Sequence, residues 1–262
     1  MSDGTQVRLG ADNAGDPIVV LVHGSGMDHT VWRFQSRWLA NRGYRVMAPD
    51  LPGHGSSPGP VRTTIAEWAE WLSSFLAAQE VTQATVVGHS MGSLIAVETA
   101  VARPDLIHRL VLVGVGSRLH VHPALMSAAR EDEDLASQLM AGWSFSASFA
   151  GGHPEPGTWE QGGFARLVLR AEPGVLAADL AACESYPCDE RAAKLTVETL
   201  LVSGSDDRMT PAKGAKELAG LIPGAQMLVL PGAGHEPMVQ VPRRFNALLA
   251  EFLTSHGKST AR

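Results

Sequence analysis

Residues 84–100 read ATVVGHSMGSLIAVETA. The apolar run at its start suits a buried strand, and the stretch from Met91 to Ala102 suits a helix. Between them lies Gly88-His89-Ser90-Met91-Gly92, a Gly-x-Ser-x-Gly pattern. A serine on a tight strand-to-helix turn projects its hydroxyl free of the sheet. Small residues two before and two after it let strand and helix approach closely. Such a turn strains the serine backbone, which structural needs seldom justify. Taken alone, the stretch also suits a serine that caps a helix N-terminus.

Outward from this turn the chain keeps one rhythm. Short, β-branched apolar runs recur at 17–24, 44–50, 83–90, 106–116, 197–204 and 225–232. Their apolar residues are continuous rather than alternating, as in strands buried on both faces. Helical spacing runs from Thr30 to Asn41 and from Thr64 to Gln79, where Ile65, Trp68, Trp71, Leu72 and Phe75 form one stripe. Strands alternating with helices predict a mostly parallel sheet. From Ser117 to Leu195 no strand pattern appears, and the segments there read as helices joined by a Gly- and Pro-rich loop. The expected organisation is a core of residues 1–116 and 196–262 with an all-helical cap inserted at 117–195.

The bulk composition narrows the possibilities. The chain has 262 residues, 45% of them hydrophobic and 18% charged, and a net charge of −6. It is long enough for one large α/β domain and too apolar for a disordered chain. A mildly acidic chain without a basic run predicts no nucleic-acid or anionic-membrane partner. No signal-like or membrane-spanning apolar stretch is evident, so a cytoplasmic monomer or homodimer is expected. The two cysteines, Cys183 and Cys188, have no histidine cluster beside them, which predicts no zinc site and two free thiols, with a short-loop disulfide of little stabilising effect as the open alternative.

A serine hydroxyl attacks only with a base in reach and a carboxylate to orient that base. Of ten histidines, His89 adjoins the serine but should point elsewhere from a sharp turn. His23 and His54 follow strand or Pro-Gly turns and read as loop supports. His108 lies in a strand, His120, His122 and His153 lie in the expected cap, and His256 lies in the tail. His235, in PGAGHEP after the last strand, sits in a glycine-rich loop on the carboxyl edge of the sheet, where Ser90 also sits. The acid should follow another strand. VETLLVSGSDDRMTP offers Asp206 and Asp207, which spacing alone does not separate, before a helix expected to start with Thr210 as N-cap and Pro211 at its first position. Two backbone N–H groups must face the developing oxyanion. Met91, at a helix N-terminus, supplies one and Ser25, in His23-Gly24-Ser25-Gly26, is the candidate for the other.

Together LVHGSG, APDLPGHGSS, VVGHSMGS, ARPDLIHRLVLVG, LLVSGSDDRMTP and LPGAGHEPMVQVP, in this order, resemble the α/β-hydrolase fold superfamily nearly end to end. The resemblance implies an α/β fold with an eight-stranded, mostly parallel sheet, its second strand antiparallel, and a helical cap after the sixth strand. It places the family's Gly-x-x-Asp-x-x-x-Pro pattern on Gly204, Asp207 and Pro211, which selects Asp207. A serine nucleophile looks like the esterase-like branch. It also admits carbon–carbon hydrolases, perhydrolases, thioesterases and receptor-like members with little turnover. The expected reaction is cleavage of a small-molecule ester through an acyl-enzyme, with no metal and no cofactor. The substrate is expected to touch Gly24 and His89 and to lie under a cap wall of Met126, Leu139, Met140, Trp143, Phe145 and Phe149. No Arg or Lys cluster in the cap faces the site, which disfavours a dicarboxylate or phosphorylated substrate.

Overall fold

The computed structural model describes residues 6–9, 16–147 and 160–255. Phe149, His153 and His256 lie outside the described residues. The strands are β1 (Gln6–Leu9), β2 (Ile18–Val22), β3 (Arg45–Pro49), β4 (Ala84–His89), β5 (Ile107–Val113), β6 (Glu198–Gly204) and β7 (Gln226–Leu230). They form one sheet in the order β1-β3-β2-β4-β5-β6-β7. β1 pairs antiparallel with β3, and all other pairs are parallel.

Two expectations need correction here. Among the described residues the sheet has seven strands rather than eight, and the antiparallel strand is the first rather than the second. The helical insertion accordingly follows the fifth strand rather than the sixth. Each label shifts by the same one, so the difference is confined to the N-terminal edge and leaves the strand ends around Ser90 in the expected places.

Helices cover both faces. α1 (Arg33–Ala40) is preceded by a 3-10 turn at His29–Trp32. α2 (Ile65–Ala78) starts at a capping box, in which the Thr64 hydroxyl accepts from Glu67 N–H and the Glu67 carboxylate accepts from Thr64 N–H. α3 (Met91–Ala102) follows β4 directly. Between β5 and β6 every described element is helical: α4 (Pro123–Glu131), α5 (Glu133–Ser144), α6 (Glu160–Val168), α7 (Val175–Ser185) and α8 (Cys188–Ala192). α9 (Ala212–Leu221), α10 (Pro237–Gln240) and α11 (Pro242–Thr254) complete the fold. No described helix is long and apolar enough to cross a membrane.

The continuous apolar runs have a simple cause. Successive strand residues point to opposite faces, and both faces are covered. Val19 and Leu21 enter one core layer with Phe245 and Leu249 of α11, while Val20 and Val22 enter the other with Leu72, Leu94 and Ile95. β7 is the exception. It is an edge strand, and Leu228 and Val229 are exposed. Glycines set the closest contacts between layers. A Cβ on Gly92 would stand 2.3 Å from the Val22 carbonyl oxygen, so α3 can lie against β2 only with glycine there.

Candidate active site

Ser90 has φ 51° and ψ −116° between β4 and α3. Non-glycine residues rarely hold such a positive φ, which costs about 1–3 kcal/mol and persists only where the surroundings enforce it. Here they do. Ser90 N–H donates to the Val113 carbonyl at 2.8 Å. The buried Ser93 hydroxyl bonds the Gly88 and Val113 carbonyls at 2.8 and 3.1 Å and accepts from Val113 N–H at 3.0 Å. The Ser90 side chain caps nothing in α3, so the N-cap reading of this serine is set aside.

Asp207 and His235 leave the ends of β6 and β7 and meet. His235 Nδ1 lies 2.9 Å from Asp207 Oδ2, and both side chains are almost fully buried. Asp207 Oδ1 accepts from Met209 N–H and Thr210 N–H at 2.9 and 2.8 Å, and Oδ2 accepts from the Thr210 hydroxyl at 2.8 Å. Thr210 therefore does not cap the next helix as expected. Its hydroxyl serves the buried carboxylate, where a charge-assisted bond is stronger, and Pro211 becomes the cap position of α9. Gly204 and Gly234 let the two loops touch, since a Cβ on Gly204 would fall 2.1 Å from the Gly234 carbonyl oxygen.

The charges follow this geometry. Burial pushes the His235 imidazolium down, but the charge and hydrogen bond of Asp207 outweigh it, and the pKa lies above the ordinary histidine value. Burial likewise raises the Asp207 carboxyl, yet His235 and Thr210 hold it below its usual range. With Nδ1–H directed at Asp207, His235 Nε2 is left as a proton acceptor.

Ser90 and His235 line one cavity of about 540 Å³ together with Ser25, Trp143, Leu180, Cys183 and Arg208. They share it without a hydrogen bond between them. Among the described residues, neither Ser25 N–H nor Met91 N–H has an acceptor.

The expected substrate contacts divide. Trp143 lines the cavity. Met140 does not, because it turns inward on α5 and is buried in the core. Phe145 follows the end of α5 in extended backbone, packs edge-on against Phe164 at 5.5 Å and lines a different cavity. Met126 also belongs to the packed interior, and Leu139 is half-buried against it; neither lines the cavity. Gly24 lies beneath the turn, where a Cβ would meet Ser90 Cβ at 3.1 Å. His89 is fully buried behind His235, with ring centroids 4.7 Å apart, and donates from Nε2 to the His235 carbonyl at 2.9 Å. Burial and the nearby His235 ring keep His89 neutral. It supports the backbone of His235 and does not reach the cavity.

Several contacts around the site were not anticipated. Asp179, on α7, accepts at Oδ2 from Gly26 N–H at 3.0 Å and lies 2.8 Å from His54 Nε2, with both side chains fully buried. One turn later on the same helix, Cys183 Sγ lies 3.7 Å from the Ser25 hydroxyl. The insertion thus holds the Gly24–Gly26 loop. The expected supporting role of His23 and His54 fits this, since His23 Nε2 accepts from Leu51 N–H at 3.0 Å. Glu236, next to His235, is fully buried, and neither carboxyl oxygen has a hydrogen-bond partner. Burial pushes its pKa up to about 8, so it is protonated at neutral pH. Nothing in the sequence distinguishes Asp179 or Glu236 from ordinary surface acids.

Two described groups bring three potential metal ligands together: His89, His235 and Glu236, and Asp28, His29 and Asp50. In the first, His235 Nδ1 faces Asp207 and His89 Nε2 is committed to a carbonyl. In the second, Asp50 Oδ1 is held by His29 and Asp28 Oδ1 by Thr30. Both cysteines are buried and free.

Residues 17–242 match the sequence profile of a family described as alpha/beta hydrolase fold. The "Putative carbamate hydrolase RutD" of Klebsiella pneumoniae (strain 342) is 30% identical over 251 residues, covering 92% of each chain. Protein ABHD8 of Bos taurus is 28% identical over 250 residues and 91% of this chain, but the chain spans little more than half of it, 56%. Among solved structures, a thermophilic esterase from Thermogutta terrifontis superposes with a TM-score of 0.83 at 27% identity, covering 95% of this chain and 92% of that one.

Proposed function

Because the chain belongs to the alpha/beta hydrolase fold family, a family of hydrolases, we propose that it is a serine hydrolase that cleaves carboxylic esters of small to medium size through an acyl-enzyme. Ser90, Asp207 and His235 are its nucleophile, acid and base. His235 Nε2 takes the hydroxyl proton as Ser90 Oγ attacks the ester carbonyl. Asp207 fixes the imidazole tautomer and stabilises the imidazolium. The N–H groups of Ser25 and Met91 bind the oxyanion, Met91 with help from the N-terminus of α3. His235 then gives its proton to the leaving alcohol. In the second half it activates water, which releases the acid and restores Ser90.

The observation that carries this reading is the pairing of His235 Nδ1 with Asp207 at 2.9 Å, beside a serine held at positive φ on the wall of the same cavity. The loop at 119–122 and helices α4, α5 and α7 supply most of the remaining wall, which supports a cap role for the insertion. The test is turnover of p-nitrophenyl butyrate. Wild type is expected to hydrolyse it and Ser90→Ala to lose activity by a factor on the order of 10³ or more. Equal inertness of both proteins would overturn the reading and favour a binding role. The RutD relative supports a second reading, carbamate cleavage, which uses the same acyl chemistry and is separated from the first by product analysis.

A further inference from the structure

The cavity at Ser90 is opposite in sign to the molecule around it. The chain carries a net charge of −6, yet among the cavity's described lining residues there is no Asp or Glu, while Arg208, His120 and His122 are present. Arg208 follows Asp207 directly. The turn that wraps Met209 and Thr210 N–H onto Asp207 fixes its backbone beside the site. Six other arginines, Arg33, Arg103, Arg109, Arg118, Arg170 and Arg191, each lie within 3.1 Å of a carboxylate. Arg208 pairs with none among the described residues. Its neighbour Asp206 is exposed and bonded to the Ser205 hydroxyl, and Asp207 is committed to His235 and Thr210. His122 adds a donor of fixed orientation. Its Nδ1 accepts from Ala124 N–H at 3.1 Å, which puts the ring proton on Nε2, and the ring stands edge-on to Trp143 at 5.1 Å.

We propose that this cavity takes esters bearing a free carboxylate, recognised by the Arg208 guanidinium with His120 and His122 as further donors. The inference rests on the ester-hydrolase reading of Ser90. It reverses the expectation drawn from the insertion alone, because the cation comes from the core loop after β6. One guanidinium fork matches one carboxylate in charge and in planar, bidentate geometry, whereas a phosphate dianion calls for more permanent charge than this wall carries. The apolar residues Leu119, Val121, Leu125 and Leu180 accommodate the hydrocarbon between the carboxylate and the scissile carbonyl. A cleft with Arg208 on its wall and no carboxylate among its described lining residues also attracts anions out of solution, more strongly at low salt.

The test uses two matched pairs: monoethyl adipate against ethyl hexanoate, with the charge on the acyl side, and carboxymethyl butyrate against ethyl butyrate, with the charge on the alcohol side. Wild type is expected to favour the anionic member of at least one pair by tenfold or more in kcat/KM. Arg208→Gln is expected to reduce that ratio at least tenfold, mainly through KM, and Arg208→Lys to restore part of it. No anionic preference in either pair, or a ratio unchanged in Arg208→Gln, would overturn the proposal and leave the esterase reading standing. If no ester is turned over, the esterase reading fails instead. Calorimetric binding of monoethyl adipate to Ser90→Ala and to the Ser90→Ala/Arg208→Gln double variant still decides the site. A tenfold weaker Kd in the double variant supports it, and equal or undetectable binding in both overturns it.

Discussion

The two N–H groups proposed to bind the oxyanion are held by regions built in different ways. Met91 N–H is set by its own neighbourhood in the chain. Ser90 at positive φ, the Ser93 hydroxyl and the glycines at 88 and 92 fix it within a few residues. The loop of Ser25 is held from far away, by Asp179 and Cys183 on α7 of the insertion. The lesson is a division of control. The proposed nucleophile and one proposed donor answer to the core, and the second proposed donor answers to the position of a helix that belongs to the insertion.

That division can be broken from either side. The largest effect is expected from the core side. In Gly92→Ala the new Cβ would meet backbone atoms of Val22 and His23 at 2.3 and 2.6 Å. Such overpacking costs about 3 kcal/mol or more, and the turn that carries both Ser90 and Met91 must shift. Thermal unfolding and p-nitrophenyl butyrate turnover should show a lowered Tm and near-complete loss of activity.

Asp179→Ala attacks the other donor alone. It leaves His54 buried without its carboxylate, a loss of about 3–5 kcal/mol, and releases Gly26 N–H. Turnover should fall through kcat by about a hundredfold, the scale of one oxyanion donor, with little change in KM. Affinity for a boronic acid that mimics the tetrahedral intermediate should fall in parallel, while affinity for a product acid should hold. Asp179→Asn keeps an acceptor for Gly26 and should lose less. If both affinities fell together, Asp179 would be a packing residue only.

The pH profile sharpens the contrast. The proposed mechanism needs neutral His235, and Asp207 holds its pKa above the ordinary histidine value. The rising limb of kcat/KM should therefore have its midpoint above pH ~6.5 and should move down in Asp207→Asn. It should stay in place in Asp179→Ala, which touches the oxyanion loop and not the base.

The smallest effect concerns Glu236. Its pKa is raised from 4.5 to about 8 in the folded protein. The folded state therefore holds the proton more tightly, and this contribution to stability is full below pH ~4.5 and lost as pH rises toward ~8. Glu236→Gln removes that loss. Its Tm relative to wild type should rise between pH 5 and pH 9, and a constant difference would show that folding does not raise the pKa of this carboxyl.

What could be read from the sequence follows the same division. The strand runs, α3 and the Ser90 turn are local, because burial on both faces leaves apolar runs and tight contacts leave glycines. The order Ser90, Asp207, His235 was legible through the resemblance, and the choice between Asp206 and Asp207 was not open to spacing. The pocket wall was not legible. Trp143, Met140 and Phe145 lie within six positions of one another, yet the end of α5 sends Phe145 to a different cavity. Nor could Asp179 be found, because its partners His54 and Gly26 lie more than a hundred residues away in the chain and meet it only through folding. Nothing in the sequence marks Arg208, which reaches the cavity wall only through the turn after β6. The Thr-Pro pair at 210–211 predicts a helix cap, because a buried carboxylate competing for the threonine hydroxyl has no sequence signal.

The central claim is that Ser90 is the activated nucleophile. Treatment with a fluorophosphonate, which transfers its phosphonyl group to an activated serine oxygen with loss of fluoride, tests it directly by intact mass and peptide mapping. One adduct is predicted, on the peptide containing Ser90 and absent in Ser90→Ala. No adduct on folded wild type, or an adduct that persists in Ser90→Ala, would contradict the account.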